Sequence, residues 1–235
     1  WKINGQPMGW ANPLPLPMND NYTVEAVFTP LYRFNDVPAD QPAANAIAQL
    51  ATRGVIRGYE GGLEYGPEDL TLRAQMAALI ARAMVWTGDA NNPFTDKCDP
   101  ADPAYCVDDE LWRAVGQLAS RSVARGYTDP GTCSPAGTPC YAPRDNVLYA
   151  QTISFITRAM VAQGYWAQQP VNANIYGGVL NGTGHEQDVT TFVHYAGTLP
   201  QAGPVEQPWA GWNQPSTRGW FALALWQALD SYWGR

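Results

Sequence analysis

The chain has 235 residues, of which 46% are hydrophobic and 15% charged, and it carries a formal net charge of −7. This is a globular composition, long enough for one large domain or a compact array of smaller units. The acidic balance, with no basic run to offset it, argues against a nucleic-acid partner, and no apolar run approaches the roughly 20 residues that a membrane-spanning helix needs.

Residues 1–33 are predicted to form an N-terminal β and loop arm. Residues 1–17 are rich in Pro, Gly and Trp without a helical period, whereas residues 22–28 alternate and contain β-branched side chains, which predicts one strand. Two interpretations stay open: the strand closes an upstream β-repeat, or the arm packs on the helices that follow. Because the first residue is Trp1 rather than Met, we expect a processed or partial chain.

Residues 34–90 predict two helices joined by a loop rich in Gly and Tyr. Pro42 suits the first turn of the first helix, and Gly54 is expected to end that helix in the left-handed conformation. The apolar residues of the second helix recur at helical spacing and are expected to face inward: Leu72, Met76, Leu79, Ile80 and Ala83.

Much of this unit returns in residues 91–165, which we interpret as a second copy. Residues 50–59 correspond to residues 118–127, and Arg82-Ala83-Met84 corresponds to Arg158-Ala159-Met160. A short helix pair buries only one face by itself. Repetition of such pairs is therefore typical of stacked units that share one core.

The second copy is longer than the first in two places, and cysteines bound each insertion. Of three possible connectivities, the simplest is Cys98–Cys106 with Cys133–Cys140, which implies an oxidising, extracytoplasmic setting. Four reduced thiols in a cytosolic protein are the alternative, which suits Pro- and Gly-rich loops poorly. The cysteines have neither Cys-x-x-Cys spacing nor a nearby His, so we predict no metal site and no other cofactor.

Residues 166–235 are predicted to be a third, degenerate copy. A short helix is expected over residues 188–196 and a longer one over residues 216–233. The last helix is apolar on most of its sides, which indicates burial or a subunit interface. Arg218 supports the alignment because, like Arg73, it precedes a small residue and an apolar helix.

Four stretches of the first copy together resemble the S-layer homology domain: Phe34-x-Asp36-Val37-Pro38, residues 50–59, Tyr65-x-Pro67 and Leu72-Arg73-Ala74-Gln75. The family pattern is Phe-x-Asp-Val, then a helix that ends in Gly-Ile-Ile, then Gly-Tyr-x-x-Gly-x-Phe-x-Pro and Thr-Arg-Ala-Glu. The resemblance extends over roughly residues 34–235 as three tandem copies. It implies a mainly α fold, in which helix-loop-helix repeats form a pseudo-threefold array around a central helical bundle. The strand predicted from the pattern of residues 22–28 adds a short N-terminal β segment.

The resemblance also implies a function, which is non-catalytic, extracellular anchoring to the surface of a bacterium. Members of this family bind cell-wall or envelope polysaccharide in grooves between repeats, and the terminal sugar often carries pyruvate. The Arg of the Thr-Arg-Ala-Glu motif faces such a groove, where a guanidinium can hold a carboxylate by two parallel hydrogen bonds. The candidate glycan-binding residues are Arg73, Arg218, Thr217, Gln75, Tyr59 and Tyr127.

The motif is incomplete in every copy. Its Thr is retained only as Thr217, its Arg is replaced by Tyr149 in the second copy, and its Glu is absent from all three. Structural roles compete with binding: an ion pair or an exposed helix-start charge for the two arginines, and loop packing for the two tyrosines. Burial or subunit contact is favoured over sugar stacking for three tryptophans, Trp209, Trp212 and Trp220. Both histidines, His185 and His194, are expected at the surface.

Two other functions compete with anchoring. An enzyme is not expected, since the sequence has no Gly-x-Ser-x-Gly, nucleotide-binding Gly loop or His-Glu-x-x-His motif. The alternative is a structural subunit of a bacterial surface layer, filament or envelope complex that acts through contacts with other surface-layer or envelope proteins. The aromatic last helix and the lost motif residues favour this alternative, whereas Arg73 and Arg218 favour anchoring.

Overall fold

The computed structural model describes residues 2–7, 16–17, 19–26, 30–59, 61–99, 102–128, 133, 138–175, 180–200 and 211–233. Six α-helices form within these ranges, so the described part of the chain is mainly helical, as predicted. In chain order they are α1 (Ala44–Thr52), α2 (Arg73–Ala83), α3 (Asp109–Ser120), α4 (Tyr149–Ala162), α5 (Glu186–Ala196) and α6 (Arg218–Trp233). A short 3-10 helix, Ala173–Ile175, precedes α5.

Near the N-terminus, three short antiparallel strands form a sheet of order β2-β1-β3, with β1 at Lys2–Ile3, β2 at Gln6–Pro7 and β3 at Val24–Glu25. The strand predicted over residues 22–28 is present as β3, and two of its residues, Val27 and Phe28, lie outside the described residues. The hairpin of β1 and β2 is not part of the prediction. Its turn, Asn4-Gly5, has positive φ at both residues, which this dipeptide favours in tight hairpins.

The two cysteine-bounded insertions close as predicted, by the disulfides Cys98–Cys106 and Cys133–Cys140. The first insertion is also a hairpin, in which β4 (Cys98–Asp99) pairs antiparallel with β5 (Asp102–Cys106). The second insertion ends in a backbone pair, since Tyr127 N donates to Cys140 O at 2.8 Å and Cys140 N donates to Tyr127 O at 3.1 Å. The second disulfide therefore lies next to Tyr127, one of the candidate glycan-binding residues.

The helix boundaries follow the sequence pattern, with shifts of two residues at the starts of α1, α5 and α6. Helix α1 begins at Ala44, two residues after Pro42, and Gly54 follows its end with a φ of 72°. In α2, the inward residues Met76 and Ile80 are fully buried. Leu72 is only half-buried because it precedes α2 as the N-cap residue.

The helices pack as three pairs, and the last pair joins α6 back to α1. Helix α2 packs against α3, α4 packs against α5, and α6 packs against α1. Helix α6 also contacts α4 and α5, and its apolar sides are buried in this core, with Phe221, Leu225 and Leu229 fully inaccessible. Contacts with other helices of the same chain therefore account for the burial expected for α6.

The segments that lead into α2, α4 and α6 hydrogen-bond to one another in a closed ring. Val147 N donates to Thr71 O at 2.8 Å, Thr71 N to Ser216 O at 3.0 Å and Ser216 N to Val147 O at 2.7 Å. The first amide of each helix, which has no partner inside the helix, donates to a neighbouring segment. These bonds are Arg73 N to Asp145 O at 2.9 Å, Tyr149 N to Gln214 O at 3.0 Å and Arg218 N to Asp69 O at 2.8 Å. The ring fixes the three helix N-termini, and therefore both arginines, relative to one another.

Candidate functional site

Arg218, the first residue of α6, is buried between the side chains of two tyrosines that precede α2. Its guanidinium carbon lies 4.6 Å from the ring centroid of Tyr59 and 4.5 Å from that of Tyr65. Arg218 Nε donates to Tyr65 O at 2.8 Å, and Tyr65 Oη donates to Arg218 O at 2.9 Å. We call these three residues the Arg218 clamp.

Arg73, the first residue of α2, has the same kind of environment, formed by two tyrosines that precede α4. Its guanidinium carbon lies 4.8 Å from the Tyr127 centroid and 4.7 Å from the Tyr141 centroid. Arg73 Nε donates to Tyr141 O at 2.8 Å, and Tyr141 Oη returns a bond to Arg73 O at 3.0 Å. We call Arg73, Tyr127 and Tyr141 the Arg73 clamp.

Both arginines differ from the structural alternatives that the sequence suggests. Arg73 is 3% exposed and Arg218 is 8% exposed, so neither is an exposed helix-start charge. Neither forms an ion pair with any residue that the structure describes. Their charge is instead balanced by carbonyl oxygens and by tyrosine π-faces, which attract cations most strongly when water is excluded.

The third equivalent position carries no arginine. Tyr149, the first residue of α4, meets the edge of Trp220 with ring centroids 4.5 Å apart and an interplanar angle of 80°. Both side chains are buried, which agrees with the burial favoured for Trp220. Trp212 is half-buried, and Trp209 lies outside the described residues.

Each clamp depends on an aspartate whose role is missing from the sequence-based prediction. The Asp36 carboxylate accepts hydrogen bonds from Tyr65 N at 2.8 Å and Gly66 N at 2.6 Å. Asp96 does the same at the Arg73 clamp, where it accepts from Tyr141 N at 2.9 Å. Both aspartates belong to a Phe-x-Asp pattern, at residues 34–36 and 94–96, and this pattern was the sequence signal for them.

Tyr59 and Gln75 both lie next to Arg218, whereas Thr217 caps the N-terminus of α6. Tyr59 is 40% exposed, and burial together with a hydrogen bond to Asp69 raises its pKa. Gln75 Oε1 lies 3.4 Å from Arg218 Nη1. Thr217 Oγ1 accepts from Trp220 N at 3.2 Å and so caps α6. At the Arg73 clamp, Gln151 lies 3.5 Å from both Arg73 Nη1 and the Tyr127 hydroxyl.

A groove of about 540 Å³ opens between α2 and α3 and reaches the Arg218 clamp. We call it the α2–α3 groove. Among the residues that line it are Arg57, Tyr59, Gln75, Arg82, Glu110 and Arg218. Three of the six candidate residues therefore share one groove, and Arg73 and Tyr127 lie together in the other clamp.

Glu110 connects the two walls of the α2–α3 groove. Its carboxylate accepts from Arg57 Nη1 at 3.0 Å and from Arg82 Nε and Nη2 at 3.1 and 2.9 Å. The hydrogen bond from Arg82 and the nearby Arg57 charge lower the pKa of Glu110. Beyond this bridge lies a second pocket of about 390 Å³, which is also lined by Arg57, Arg82 and Glu110 and extends to Trp86.

With this geometry, the comparison with known families is informative. Residues 33–77 match the S-layer homology domain. S-layer homology domains are cell-surface anchoring modules that bind cell-wall polysaccharide, and their presence implies association with a bacterial surface. No curated protein matches the chain.

The S-layer homology match includes α1, the loop that carries Tyr59 and Tyr65, and the first part of α2. Arg218 and Glu110 lie outside it, so the α2–α3 groove combines matched and unmatched residues. The two disulfides fit an extracellular protein. Within the described ranges, no helix is long and apolar enough to cross a membrane, and no cluster of three His, Cys, Asp or Glu residues could hold a metal ion.

The surface position expected for both histidines is correct for His194 and wrong for His185. His185 is half-buried before α5, and its Nδ1 lies 2.7 Å from the hydroxyl of the buried Ser154. Burial and the charge of Arg158 lower the pKa of His185, against the opposing effect of Asp188. Arg158 and Asp188 form an ion pair at 2.7 Å, so charged partners surround this end of α5.

Proposed function

We propose that the chain is a non-catalytic anchoring module that binds cell-wall or envelope polysaccharide, and that the α2–α3 groove receives a sugar. The observation that carries this proposal is Tyr59, a half-exposed aromatic ring in the groove wall that Arg218 supports from inside. A fixed aromatic ring with polar side chains around it is the usual composition of a small-ligand site. Gln75, Arg57 and Arg82 supply such polar groups here.

We also infer three tandem repeats at residues 34–90, 91–165 and 166–235 in a pseudo-threefold arrangement. The successive helix pairs and the closed ring of Thr71, Val147 and Ser216 support this arrangement. Under it, each groove lies between one repeat and the next. The groove that reaches Arg218 would then be formed by the first two repeats and completed by the third.

In this proposal the arginines support the site rather than grip an anion. A carboxylate held by two bonds needs two adjacent N–H groups of one guanidinium. Arg218 already uses Nε for Tyr65 O, and its Nη1 lies close to Gln75 Oε1. Arg73 is engaged in the same way. We therefore expect Arg218 to fix the position of Tyr59, and Tyr59 to contact the sugar.

The proposal is tested by sedimentation of the purified protein with isolated cell-wall glycan. We expect Tyr59→Ala to weaken binding about tenfold or more, the usual loss when a contact aromatic is truncated. Tyr232→Ala is the matched control, because Tyr232 is also about 41% exposed but lies at the end of α6. Equal binding by wild type and Tyr59→Ala would remove the sugar from this groove, and no binding by wild type would refute anchoring through that glycan.

The alternative function, assembly through contacts with other envelope proteins, loses part of one support. Two aromatic residues of α6 that favoured it, Trp220 and Phe221, are buried and offer little surface to a partner. Tyr232, at the end of the helix, is 41% exposed. Protein partners stay a prediction.

A further inference from the structure

Three arginines line the α2–α3 groove, and one carboxylate, that of Glu110, bridges two of them. Glu110 comes from the first turn of α3, whereas Arg57 follows α1 and Arg82 belongs to α2. Arg57 Nη1 lies 3.0 Å from both Glu110 oxygens, and Arg82 gives two further bonds to Oε1. The carboxylate thus occupies the position in which a ligand anion would contact both arginines.

Arg82 and Arg218 also have partners on the protein backbone and on Gln75. Arg82 Nη1 lies 3.4 Å from Val55 O, so three nitrogens of Arg82 have protein partners. Arg218 uses its Nε for Tyr65 O, and Gln75 lies beside its Nη1. An incoming carboxylate would have to displace Glu110 in order to contact Arg57 and Arg82 together.

Glu110 also stays charged under mildly acidic conditions, because the two arginines favour its ionised form and lower its pKa. The site is half-exposed, with Glu110 and Arg57 both accessible to a ligand. A negative ligand would therefore approach a fixed negative charge. A neutral sugar would instead avoid this repulsion and could still hydrogen-bond to the polar side chains of the groove.

We propose that Glu110 makes the α2–α3 groove selective for uncharged sugars over sugars that carry a carboxylate. This inference rests on the proposed function, since it concerns the ligand of the same groove. It also differs from the pyruvate-bearing sugar that the family resemblance implies. Replacement of Glu110 by a neutral isostere should release Arg57 and Arg82 to hold an anion.

The test compares two tetrasaccharides of N-acetylhexosamine that differ only at the terminal sugar, where one carries a primary alcohol and the other a carboxylate. Affinities are measured by calorimetry for wild type, Glu110→Gln and Asp109→Asn. Asp109→Asn is the matched control: it removes the same charge one residue away, from an exposed side chain paired with Lys97 outside the groove. Glu110→Gln keeps the size of the side chain, and a thermal melt of each variant confirms folding.

We expect wild type and Asp109→Asn to prefer the neutral tetrasaccharide, and Glu110→Gln to shift the preference toward the carboxylated one by about tenfold. An unchanged preference in Glu110→Gln, with binding intact, would overturn the role of Glu110 and leave the glycan groove standing. If neither tetrasaccharide binds wild type, the polysaccharide proposal fails for these sugars. Titration of glucuronate against the side-chain NMR signals of Arg57 and Arg82 then decides the role of Glu110: tighter binding by Glu110→Gln supports it, and equal binding refutes it.

Discussion

At the scale of single residues, two arginines are buried with no carboxylate partner in the part of the chain that the structure describes. Burial of a cation is costly unless its hydrogen bonds are made. Arg73 meets this requirement with Tyr141 O and three aromatic rings, and Arg218 with Tyr65 O and two rings. The tyrosine hydroxyls return the bond to the arginine carbonyls, so each clamp joins a helix start to a loop of a neighbouring segment.

Arg73→Met should lower the free energy of unfolding by about 2–4 kcal/mol, because it removes the cation–π contacts and leaves Tyr141 O without its partner. Urea denaturation measures this loss. Arg113→Met is the control, since Arg113 is an exposed arginine whose pair with Asp89 should contribute about 0–1 kcal/mol. Similar losses in both variants would mean that the clamp does not stabilise the fold.

At the scale of elements, two loops between helices contain a glycine that lies directly against a phenylalanine ring, where a larger residue would not fit. A Cβ added at Gly58 would lie 2.6 Å from both Glu64 O and Phe34 Cε1. Gly126 has the same arrangement, with Phe94 and Cys140 O as its neighbours. The aromatic residue of the Phe-x-Asp pattern thus packs directly beneath the turn that leads to Tyr59 or Tyr127.

Gly58→Ala should therefore destabilise more than Gly54→Ala. Both glycines have positive φ, near 70°, which costs a non-glycine residue about 1–2 kcal/mol. Gly54 has open space around it, whereas Gly58→Ala adds overpacking of about 1–3 kcal/mol. Thermal melts of the two variants compare these losses directly, and equal melting temperatures would contradict close packing of Phe34 on the turn.

At the scale of the whole molecule, the segments before α2, α4 and α6 meet in the ring of backbone hydrogen bonds. Val147 and Ser216 suit this buried ring, because the first is apolar and the hydroxyl of the second is hydrogen-bonded. The hydroxyl of the fully buried Thr71, in contrast, has no hydrogen-bond partner among the described residues. Ser216 differs, since its hydroxyl lies 3.0 Å from that of Thr152 and 3.1 Å from Val147 O. Thr71 thus brings an unsatisfied polar group into the ring.

Thr71→Val should keep or raise stability, by up to about 1 kcal/mol, because it removes an unpaired buried hydroxyl without a change of shape. Ser216→Ala should instead cost about 1–2 kcal/mol, since it leaves the Thr152 hydroxyl and Val147 O without that partner. Chemical denaturation of the two variants separates these outcomes. A clear loss of stability in Thr71→Val would show that this hydroxyl makes a bond that the geometry does not include.

Local patterns predicted most of the fold, because helices, turns and short disulfide loops depend on nearby residues. The apolar spacing of α2 and α6, Gly54 after α1 and the two cysteine pairs are examples. The Asn4-Gly5 hairpin also has a local signal, although the strand prediction omitted it. These features require no knowledge of what packs against them.

The candidate site could be predicted only in part, since its contacts join distant segments. Arg218 bonds to Tyr65 across 153 residues, and Arg57 bonds to Glu110 across 53. In sequence, Glu110 is one of several acidic residues at a helix start, where such residues are common for reasons of helix capping alone. Its position between two arginines follows from how α2 and α3 pack.

The most direct test of the account is the location of bound glycan. In a titration of ¹⁵N-labelled protein with cell-wall oligosaccharide, we expect the largest amide shifts at Tyr59, Gln75 and Glu110, along the α2–α3 groove. The N-terminal sheet and the end of α6 should change little. Shifts that cluster at those distant sites and leave the groove unchanged would contradict the claim that this groove receives the sugar.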